Sequence, residues 1–318
     1  MNLQISAIKH PAAKAMNIKL YMARADQIHP LASGNKYYKL KPLLEVAKAK
    51  NCNCLLSFGG AFSNHIHALA LTAQEHGFES VGIIRGESHY ADNSTLSVAT
   101  KAGMKLEFVN REEYRRKDDL EYLRQLQNQY PACLIIPEGG SSQLAIGGCK
   151  ALADEINRAD LNLSFDYLAV ASGTGATMAG LICGANENQK VIGYSVLRDQ
   201  SLGARVRSFI QEEGCENNEY DIEEADFGGY AKFDKELLEF VFDWYQQTGI
   251  LLDPIYTSKL CMRLVQQLEA GEFREDSSIC IVHTGGLQGW LGMKQKVIKI
   301  ADESQWLQLK EWLDHSSK

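Results

Sequence analysis

Short apolar runs alternate with longer amphipathic segments along most of the chain. The apolar runs have the length of buried strands, and they lie at residues 18–22, 54–58, 81–84, 106–109, 133–136, 167–171, 191–196, 220–225 and 279–283. Apolar residues at helical spacing predict helices between many of these runs, at 66–76, 94–102, 113–129, 236–247, 258–269 and 304–315, with another beginning near residue 203. Because parallel strands need crossover connections of this length, the pattern predicts an α/β fold with largely parallel sheets.

Glycine-rich segments in the middle of the chain indicate a division into two lobes. Residues 138–142 and the pair Gly147-Gly148 are predicted to form loops where the chain crosses between the lobes. We expect two three-layer α/β lobes, a large one of residues 1–42 with 146–318 and a small one of residues 43–145.

The charge balance argues against a nucleic-acid partner. The 318 residues include 33 Lys and Arg against 40 Asp and Glu, for a formal net charge of -7. A nucleic-acid surface needs clustered basic residues. The short run Arg115-Arg116-Lys117 is followed at once by two aspartates, so we expect it to lie on a solvated helix face.

Cysteine usage and hydropathy point to a cytoplasmic protein. The eight cysteines contain no C-x-x-C pair, and several lie inside apolar runs. This distribution predicts buried, reduced thiols and no metal site. No apolar run approaches the roughly 18–20 residues of a membrane span. The first 22 residues lack the apolar core of a secretion signal, so we expect no membrane contact.

The strongest chemical signal is the turn at residues 172–177, with the sequence SGTGAT, between an apolar strand and an apolar helix. Several backbone N–H groups of such a turn converge on one point, and the helix N-terminus adds partial positive charge, so the turn is suited to a phosphate group. Taken alone it leaves three possibilities open: the phosphate of pyridoxal phosphate (PLP), a dinucleotide bound near Arg198-Asp199, or a structural turn.

A lysine and two helix-capping residues are further candidates. Lys36 follows a Gly-Asn turn and precedes a helix that apolar residues at 40–47 predict, in which Pro42 is compatible only with the first turn. Ser63 and Asn64 follow a Gly-Gly turn and precede another helix. Read one by one, these residues are most simply a solvated lysine and two N-caps.

Two tyrosines and a histidine complete the set. Tyr230 follows a Gly-Gly pair, Tyr256 lies in the segment D-P-I-Y, and His283 ends a strand ahead of T-G-G. Aromatic residues most often pack in a core, and a histidine at a strand end is as readily structural as catalytic. None of these three residues identifies a function alone.

Taken in order, these motifs resemble one family. The order is S-G-N-K, then G-G-x-x-S-N-H, then the glycine/threonine turn, then D-P-x-Y, then H-x-G-G, over residues 18–290. This order is similar to that of the 1-aminocyclopropane-1-carboxylate (ACC) deaminase/D-cysteine desulfhydrase family. That family belongs to the fold-type-II, tryptophan synthase β-like PLP enzymes, so the resemblance implies their fold, PLP as cofactor and a homodimer.

The resemblance also implies roles for individual residues. Lys36 would hold PLP as a Schiff base, and Asn64 would bind the phenolic oxygen of the cofactor. Ser63 would lie near the substrate carboxylate or assist proton transfer, Tyr256 would stack on the pyridine ring, and Tyr230 would face the substrate. The remaining cofactor-binding residues would be Gly173, Thr174, Gly175, Ala176, Thr177 and Thr284.

Two positions separate activities within the family. Deaminases resemble D-P-x-Y-E and H-L-G-G, whereas D-cysteine desulfhydrases carry small hydroxyl residues at both places, as this chain does with Thr257 and Thr284. The resemblance therefore implies a β-elimination that converts the D-amino acid D-cysteine to pyruvate, ammonia and hydrogen sulfide. ACC deamination, a nicotinamide-dependent oxidoreductase and a non-catalytic sensor remain as alternatives. The roles of Tyr37, Tyr38, His65 and His283 stay open.

Overall fold

The computed structural model describes residues 3–29, 34–159, 163–229 and 232–316, which form two β-sheets flanked by helices. The strands are β1 (Ile5–Ile8), β2 (Lys19–Ala23), β3 (Cys54–Gly60), β4 (Glu79–Arg85), β5 (Met104–Val109), β6 (Cys133–Ile136), β7 (Tyr167–Ser172), β8 (Lys190–Ser195), β9 (Tyr220–Glu224) and β10 (Ser278–Val282). The helices are α1 (Pro11–Ala15), α2 (Asn35–Ala49), α3 (Asn64–Glu75), α4 (Leu96–Lys101), α5 (Arg111–Tyr114), α6 (Leu120–Gln129), α7 (Gln143–Arg158), α8 (Ala176–Gly184), α9 (Leu202–Glu212), α10 (Lys235–Thr248), α11 (Thr257–Glu269), α12 (Gly289–Ile300) and α13 (Glu303–Ser316).

Both sheets are predominantly parallel. The larger sheet has the strand order β1-β2-β10-β7-β8-β9, and the smaller sheet has the order β5-β4-β3-β6. The pair β1 and β2 is antiparallel, and the other pairs are parallel. Every residue of β10 is buried, since apolar clusters cover both faces of the larger sheet. The prediction of an α/β fold with mostly parallel sheets is confirmed.

The two sheets are built from separate parts of the chain. The strands of the smaller sheet all lie between residues 54 and 136, and those of the larger sheet lie on either side. The proposed boundaries after residues 42 and 145 would fall inside α2 and α7. The division into domains stays a prediction.

The single helix predicted at residues 113–129 is wrong. The structure has α5 and α6, which a 3-10 turn at Arg115–Asp118 separates. Each helix has its own cap: Asn110 accepts a hydrogen bond from the N–H of Glu113 at 2.9 Å, and Asp119 accepts one from Tyr122 at 2.8 Å. Two separate caps begin two helices, which apolar spacing alone does not reveal.

The loop predicted at Gly147-Gly148 is also wrong, because both residues lie inside α7. A Cβ added to Gly148 would overlap the carbonyl oxygen of Tyr38 on α2. Pro42 lies well inside α2 rather than in its first turn, and it has no N–H to donate to that carbonyl four residues earlier. Gly148 therefore approaches α2 at the carbonyl group whose helical hydrogen bond is missing. Helices α1 and α12 were likewise not predicted.

The prediction that all eight cysteines are reduced is wrong for one pair. Cys54 and Cys133 are register partners on β3 and β6, and they form a disulfide. A separation of 79 residues in the chain conceals this pairing from sequence inspection. The other six cysteines are free thiols.

The described ranges lack two kinds of feature. Among those residues, no helix combines the length and the apolar character that crossing a membrane requires. The same residues contain no group of three or more His, Cys, Asp or Glu side chains arranged to hold a metal ion.

Candidate active site

A cavity of about 1690 Å³ lies between the two sheets, and the carboxyl ends of strands from both sheets open into it. The larger sheet contributes the turn after β7 and the segment after β10. The smaller sheet contributes the ends of β3 and β4 and the segment after β6. Parallel α/β sheets bind ligands at this edge because their loops and helix N-termini converge there.

Lys36 lies in the first turn of α2 and lines this cavity. The preceding Gly34 has φ 73°, and a Cβ at this position would overlap the backbone of Thr284, so glycine is needed for the close approach. The Lys36 Nζ donates a hydrogen bond to Asn35 Oδ1 at 3.2 Å, and Asn35 Nδ2 donates to Thr177 Oγ1 at 2.8 Å. The lysine is thereby connected to the SGTGAT turn. Ser33, the first residue of its motif, lies outside the described residues.

The electrostatic surroundings of Lys36 favour a neutral amine. Burial, and then the neighbouring charge of Lys39, lower the pKa of Lys36 to about 7. Desolvation disfavours the ammonium form, and a like charge disfavours it further. A neutral amine is the form that attacks a carbonyl group.

The turn at residues 172–177 joins β7 to α8, and Gly175 has φ 90°. The first N–H groups of α8 have no partner within the helix and are available to an anion. On the opposite side, the Arg205 guanidinium donates to the carbonyl oxygens of Gly173 and Thr174, each at 3.3 Å. The Ser141 hydroxyl donates to Thr174 Oγ1 at 2.6 Å. These contacts fix the backbone of the turn.

The acidic residue required by the dinucleotide alternative is already engaged. Asp199 forms an ion pair with Arg205 at 2.6 Å and accepts a hydrogen bond from the Ser201 hydroxyl at 2.6 Å. Arg198 pairs with Asp226 at 3.1 Å. The carboxylate that would bind a ribose hydroxyl instead holds the arginine that supports the turn.

Ser63 and Asn64 begin α3 and line the cavity. The Ser63 hydroxyl caps the helix by accepting a hydrogen bond from the Ile66 N–H at 3.3 Å. The Asn64 Oδ1 accepts one from Gln288 Nε2 at 3.0 Å, which connects the smaller sheet to the segment after β10. This contact leaves the Asn64 amide nitrogen as a donor toward a ligand.

Tyr256 stands beside the turn, since a Cβ added to Gly173 would lie 3.5 Å from the Tyr256 Cε1. Its backbone is held by the buried Asp253 carboxylate, which accepts the N–H groups of Ile255 and Tyr256 at 2.9 Å. The Thr257 hydroxyl also donates to Asp253, at 2.5 Å, and Thr257 is fully buried. Of the two threonines singled out in the sequence, Thr284 therefore lines the cavity and Thr257 does not.

The remaining candidates divide into structural and cavity-lining residues. His283 Nε2 contacts the Leu251 carbonyl at 2.9 Å and its Nδ1 accepts the Gly285 N–H at 3.2 Å, so both ring nitrogens are committed to the backbone. His65 lines the cavity, and burial lowers its pKa well below the usual value. Tyr38 is buried and donates to Glu155 at 2.6 Å, and Tyr37 stacks on His29. Tyr230 lies outside the described residues.

Sequence reasoning missed two basic residues that hold the site together. Arg205 braces the SGTGAT turn. Lys259 is fully buried and donates to the carbonyl oxygens of Asp226 at 2.6 Å and Gly229 at 2.7 Å, next to the segment that leads to Tyr230. Burial lowers the pKa of Lys259 to about 8. No local motif marks either residue because each bonds to backbone distant in the chain.

The donor set suits PLP. Its dianionic phosphate matches the backbone amides of the SGTGAT turn, its aldehyde matches the Lys36 amine with its lowered pKa, and its aromatic ring matches Tyr256 beside the turn. Asn64 offers an amide donor for the phenolic oxygen. The cavity exceeds the roughly 300–1,000 Å³ of common ligand pockets, so it also has room for an amino acid.

Comparison with known proteins agrees with this chemistry. The model of the pyridoxal-phosphate dependent enzyme family matches residues 9–285. A putative ACC deaminase of Thermotoga maritima is 30% identical, covering 88% of this chain and 92% of the relative. A mitochondrial bifunctional D-cysteine desulfhydrase/ACC deaminase of Arabidopsis thaliana is 28% identical, covering 89% of this chain and 75% of the relative. The solved structure of an ACC deaminase homologue superposes with a TM-score of 0.84 over 94% of both chains at 24% identity, which supports the tryptophan synthase β-like fold.

Proposed function

The chain belongs to the family of pyridoxal-phosphate dependent enzymes, and on that premise we propose that it catalyses β-elimination on a D-amino acid, with D-cysteine as the model substrate. The net reaction consumes one water and yields pyruvate, ammonia and hydrogen sulfide. The Cα–H and Cβ–S bonds of the substrate break, and sulfur leaves with the bonding electron pair. Bound PLP supplies the electron sink for this chemistry.

The residues of the chain would carry out the other tasks. With its pKa lowered to about 7, the Lys36 amine is available in its neutral form, which would bond to the cofactor aldehyde and, when free, would accept the Cα proton at Nζ. The N-terminus of α3, with the Ser63 hydroxyl, offers hydrogen-bond donors for the substrate carboxylate. Tyr256 restrains the cofactor ring, and the SGTGAT turn, braced by Arg205, holds the phosphate.

The position of Thr284 is the main reason to propose D-cysteine rather than ACC as the substrate. The resemblance implies leucine at this position in deaminases, whereas Thr284 lines the cavity here. At the second distinguishing position, Thr257 has no carboxylate, and its hydroxyl donates a hydrogen bond to Asp253. No glutamate is therefore available at residue 257 to keep the ring nitrogen of the cofactor protonated. A weaker electron sink is sufficient when the substrate already has a leaving group.

ACC deamination is the second candidate, and the names of the relatives favour it. The Thermotoga maritima relative is named a putative ACC deaminase, and the Arabidopsis thaliana relative is named for both activities. Assays of one preparation with D-cysteine, L-cysteine and ACC separate the candidates. Sulfide and pyruvate from D-cysteine would support elimination, and 2-oxobutanoate from ACC would support deamination.

The decisive test of cofactor chemistry is Lys36→Ala. Wild-type protein reconstituted with PLP should absorb visible light and release sulfide from D-cysteine. The variant should lose this absorbance, and its turnover should fall by roughly 10²–10⁴-fold, the usual contribution of a positioned acid or base. Lys41→Ala, an exposed lysine on the same helix, is the matched control and should retain both properties. A colourless wild type that turns over neither substrate would reject the proposal.

We extend the proposal to a homodimer, which the family likeness supports, and to the cytoplasmic location that the hydropathy of the sequence favours. Light scattering of the PLP-loaded protein at several concentrations tests the oligomeric state. A mass near that of one 35.4 kDa chain at all concentrations would reject the dimer.

A further inference from the structure

Two arginines at the edge of the smaller sheet face the cavity without an acidic partner. Arg85 ends β4 and Arg111 begins α5, directly after β5, and both line the cavity. Among the residues that the structure describes, neither guanidinium lies within ion-pair distance of a carboxylate. Both are on the wall contributed by the smaller sheet, apart from the SGTGAT turn that suits the cofactor phosphate.

The carboxylates of the cavity wall are already paired with other cations. Glu138 and Asp118 both contact Lys117, at 3.7 Å and 2.6 Å. The other acidic residues of the wall have partners outside this edge: Asp26 with Arg24, Asp199 with Arg205, and Asp314 with Lys310. The positive charge of the two arginines is therefore not cancelled within the described wall. Lys117, in the basic run expected on a solvated helix face, lies in the 3-10 turn Arg115–Asp118, which has no buried residue, and it also lines the cavity.

Arg85 is held in place by a buried aromatic residue. Its guanidinium carbon lies 5.4 Å from the centre of the Tyr114 ring. Tyr114 is 4% exposed, and its hydroxyl donates to Glu138 Oε1 at 2.7 Å. A guanidinium that rests on a fixed ring is already oriented and loses little freedom when it binds an anion.

Arg85 also lies beside the end of β3, from which the chain leads to Ser63 at the N-terminus of α3. Gly60 and Arg85 are register partners at the ends of β3 and β4. A Cβ added to Gly60 would lie 3.7 Å from Arg85 Nη2. A ligand whose carboxylate binds at Ser63 would thus extend its other end along the wall that carries Arg85.

We infer that Arg85, assisted by Arg111, binds a second anionic group on the β-substituent of the substrate. The substrate class is then an amino acid with a phosphate, sulfate or carboxylate beyond its β-carbon, and D-cysteine is a minimal substrate that lacks this group. This inference rests on the proposed function. Planar guanidinium groups bind such oxyanions through paired N–H donors.

The test compares two substrates that differ in the charge of the β-substituent, O-phospho-D-serine and the neutral O-acetyl-D-serine. In Arg85→Gln, kcat/KM for the phosphorylated substrate should fall about tenfold or more, mainly through KM, because a hydrogen bond to a charged group is lost. The value for the acetylated substrate should change less than about threefold, because an exposed charge contributes little to a neutral ligand. Arg124→Gln, on an exposed position of α6, is the matched control and should change neither value.

The outcomes separate this inference from the proposed function. Equal losses for both substrates would overturn it, because Arg85 would then bind the α-carboxylate or support the fold. Equal kcat/KM values for wild type and Arg85→Gln with the phosphorylated substrate would overturn it as well. If the wild type turns over no substrate, calorimetric titration with O-phospho-D-serine decides: weaker binding to Arg85→Gln than to wild type supports the anion site although elimination has failed, and equal binding rejects it.

Discussion

Lys36 and Lys39 lie one turn apart on α2, and both line the cavity. Lys39 is 2% exposed, so its charge acts on Lys36 with little screening by water. Burial is the larger cause of the lowered pKa of Lys36, and Lys39 is the next. The spacing of the two lysines therefore contributes to the reactivity of the residue that would hold the cofactor.

The lowered pKa predicts how cofactor capture depends on pH. The neutral fraction of the Lys36 amine falls roughly tenfold for each pH unit below about 7. The rate at which apoenzyme gains visible absorbance with PLP should therefore rise with pH up to about 7 and then level off. In Lys39→Met a like charge is removed, so the pKa of Lys36 should rise and the midpoint should move to higher pH.

A matched variant on the same helix controls for general effects of charge. Lys41→Met removes an exposed charge and should leave the midpoint unchanged. The midpoint of Lys39→Met should stay below the ordinary 10.5, because desolvation is the larger cause and remains. A wild-type rate that keeps rising to pH 10 would contradict the lowered pKa.

At the level of elements, the sequence predicted best those features that have a local cause. A strand, a short turn and a helix follow one another at residues 54–64 and 167–177, as predicted, although Gly59 and Gly60 belong to β3 and not to the turn. These units bring Asn64 and Thr177 to one cavity. Gly147 and Gly148 were misassigned because glycine has two uses, in loops and in close helix contacts. Only the position of α2 shows which of these two uses applies here.

Alanine substitutions at the two adjacent glycines of α7 should have opposite effects on the stability of the fold. A Cβ on Gly147 meets no atom within 4 Å, whereas a Cβ on Gly148 would overlap the Tyr38 carbonyl. Gly147→Ala should raise the free energy of unfolding by roughly 0.5–1 kcal/mol, since alanine favours helix. Gly148→Ala should lower it by about 1–3 kcal/mol through overpacking of α7 against α2.

Denaturant titration of both variants measures this difference, and Gly147→Ala serves as the control for the change in helix propensity. Because α2 begins at the segment that carries Lys36, Gly148→Ala should also weaken PLP binding. Equal stabilisation by both substitutions would show that α2 and α7 do not pack as closely as described.

Across the whole molecule, the candidate cofactor residues come from both sheets. Asn64 begins the helix after β3 of the smaller sheet, and the SGTGAT turn follows β7 of the larger one. A ligand held by both should couple their stabilities. Bound ligand stabilises the native state by about 2.7 kcal/mol at a concentration one hundred times Kd. The distribution of that stabilisation reveals which parts of the chain the ligand connects.

Hydrogen exchange with and without PLP measures this coupling. We expect PLP to slow amide exchange in β3 and α3 of the smaller sheet as well as in β7 and α8 of the larger one. Asn64→Ala should keep the protection of β7 and α8 and lose much of that in β3 and α3, because the contact from the smaller sheet is removed. Gln74→Ala, an exposed position on α3, is the control and should behave as wild type. Protection confined to the larger sheet in wild type would mean that the cofactor does not connect the two sheets, because Asn64 would then make no contact with it.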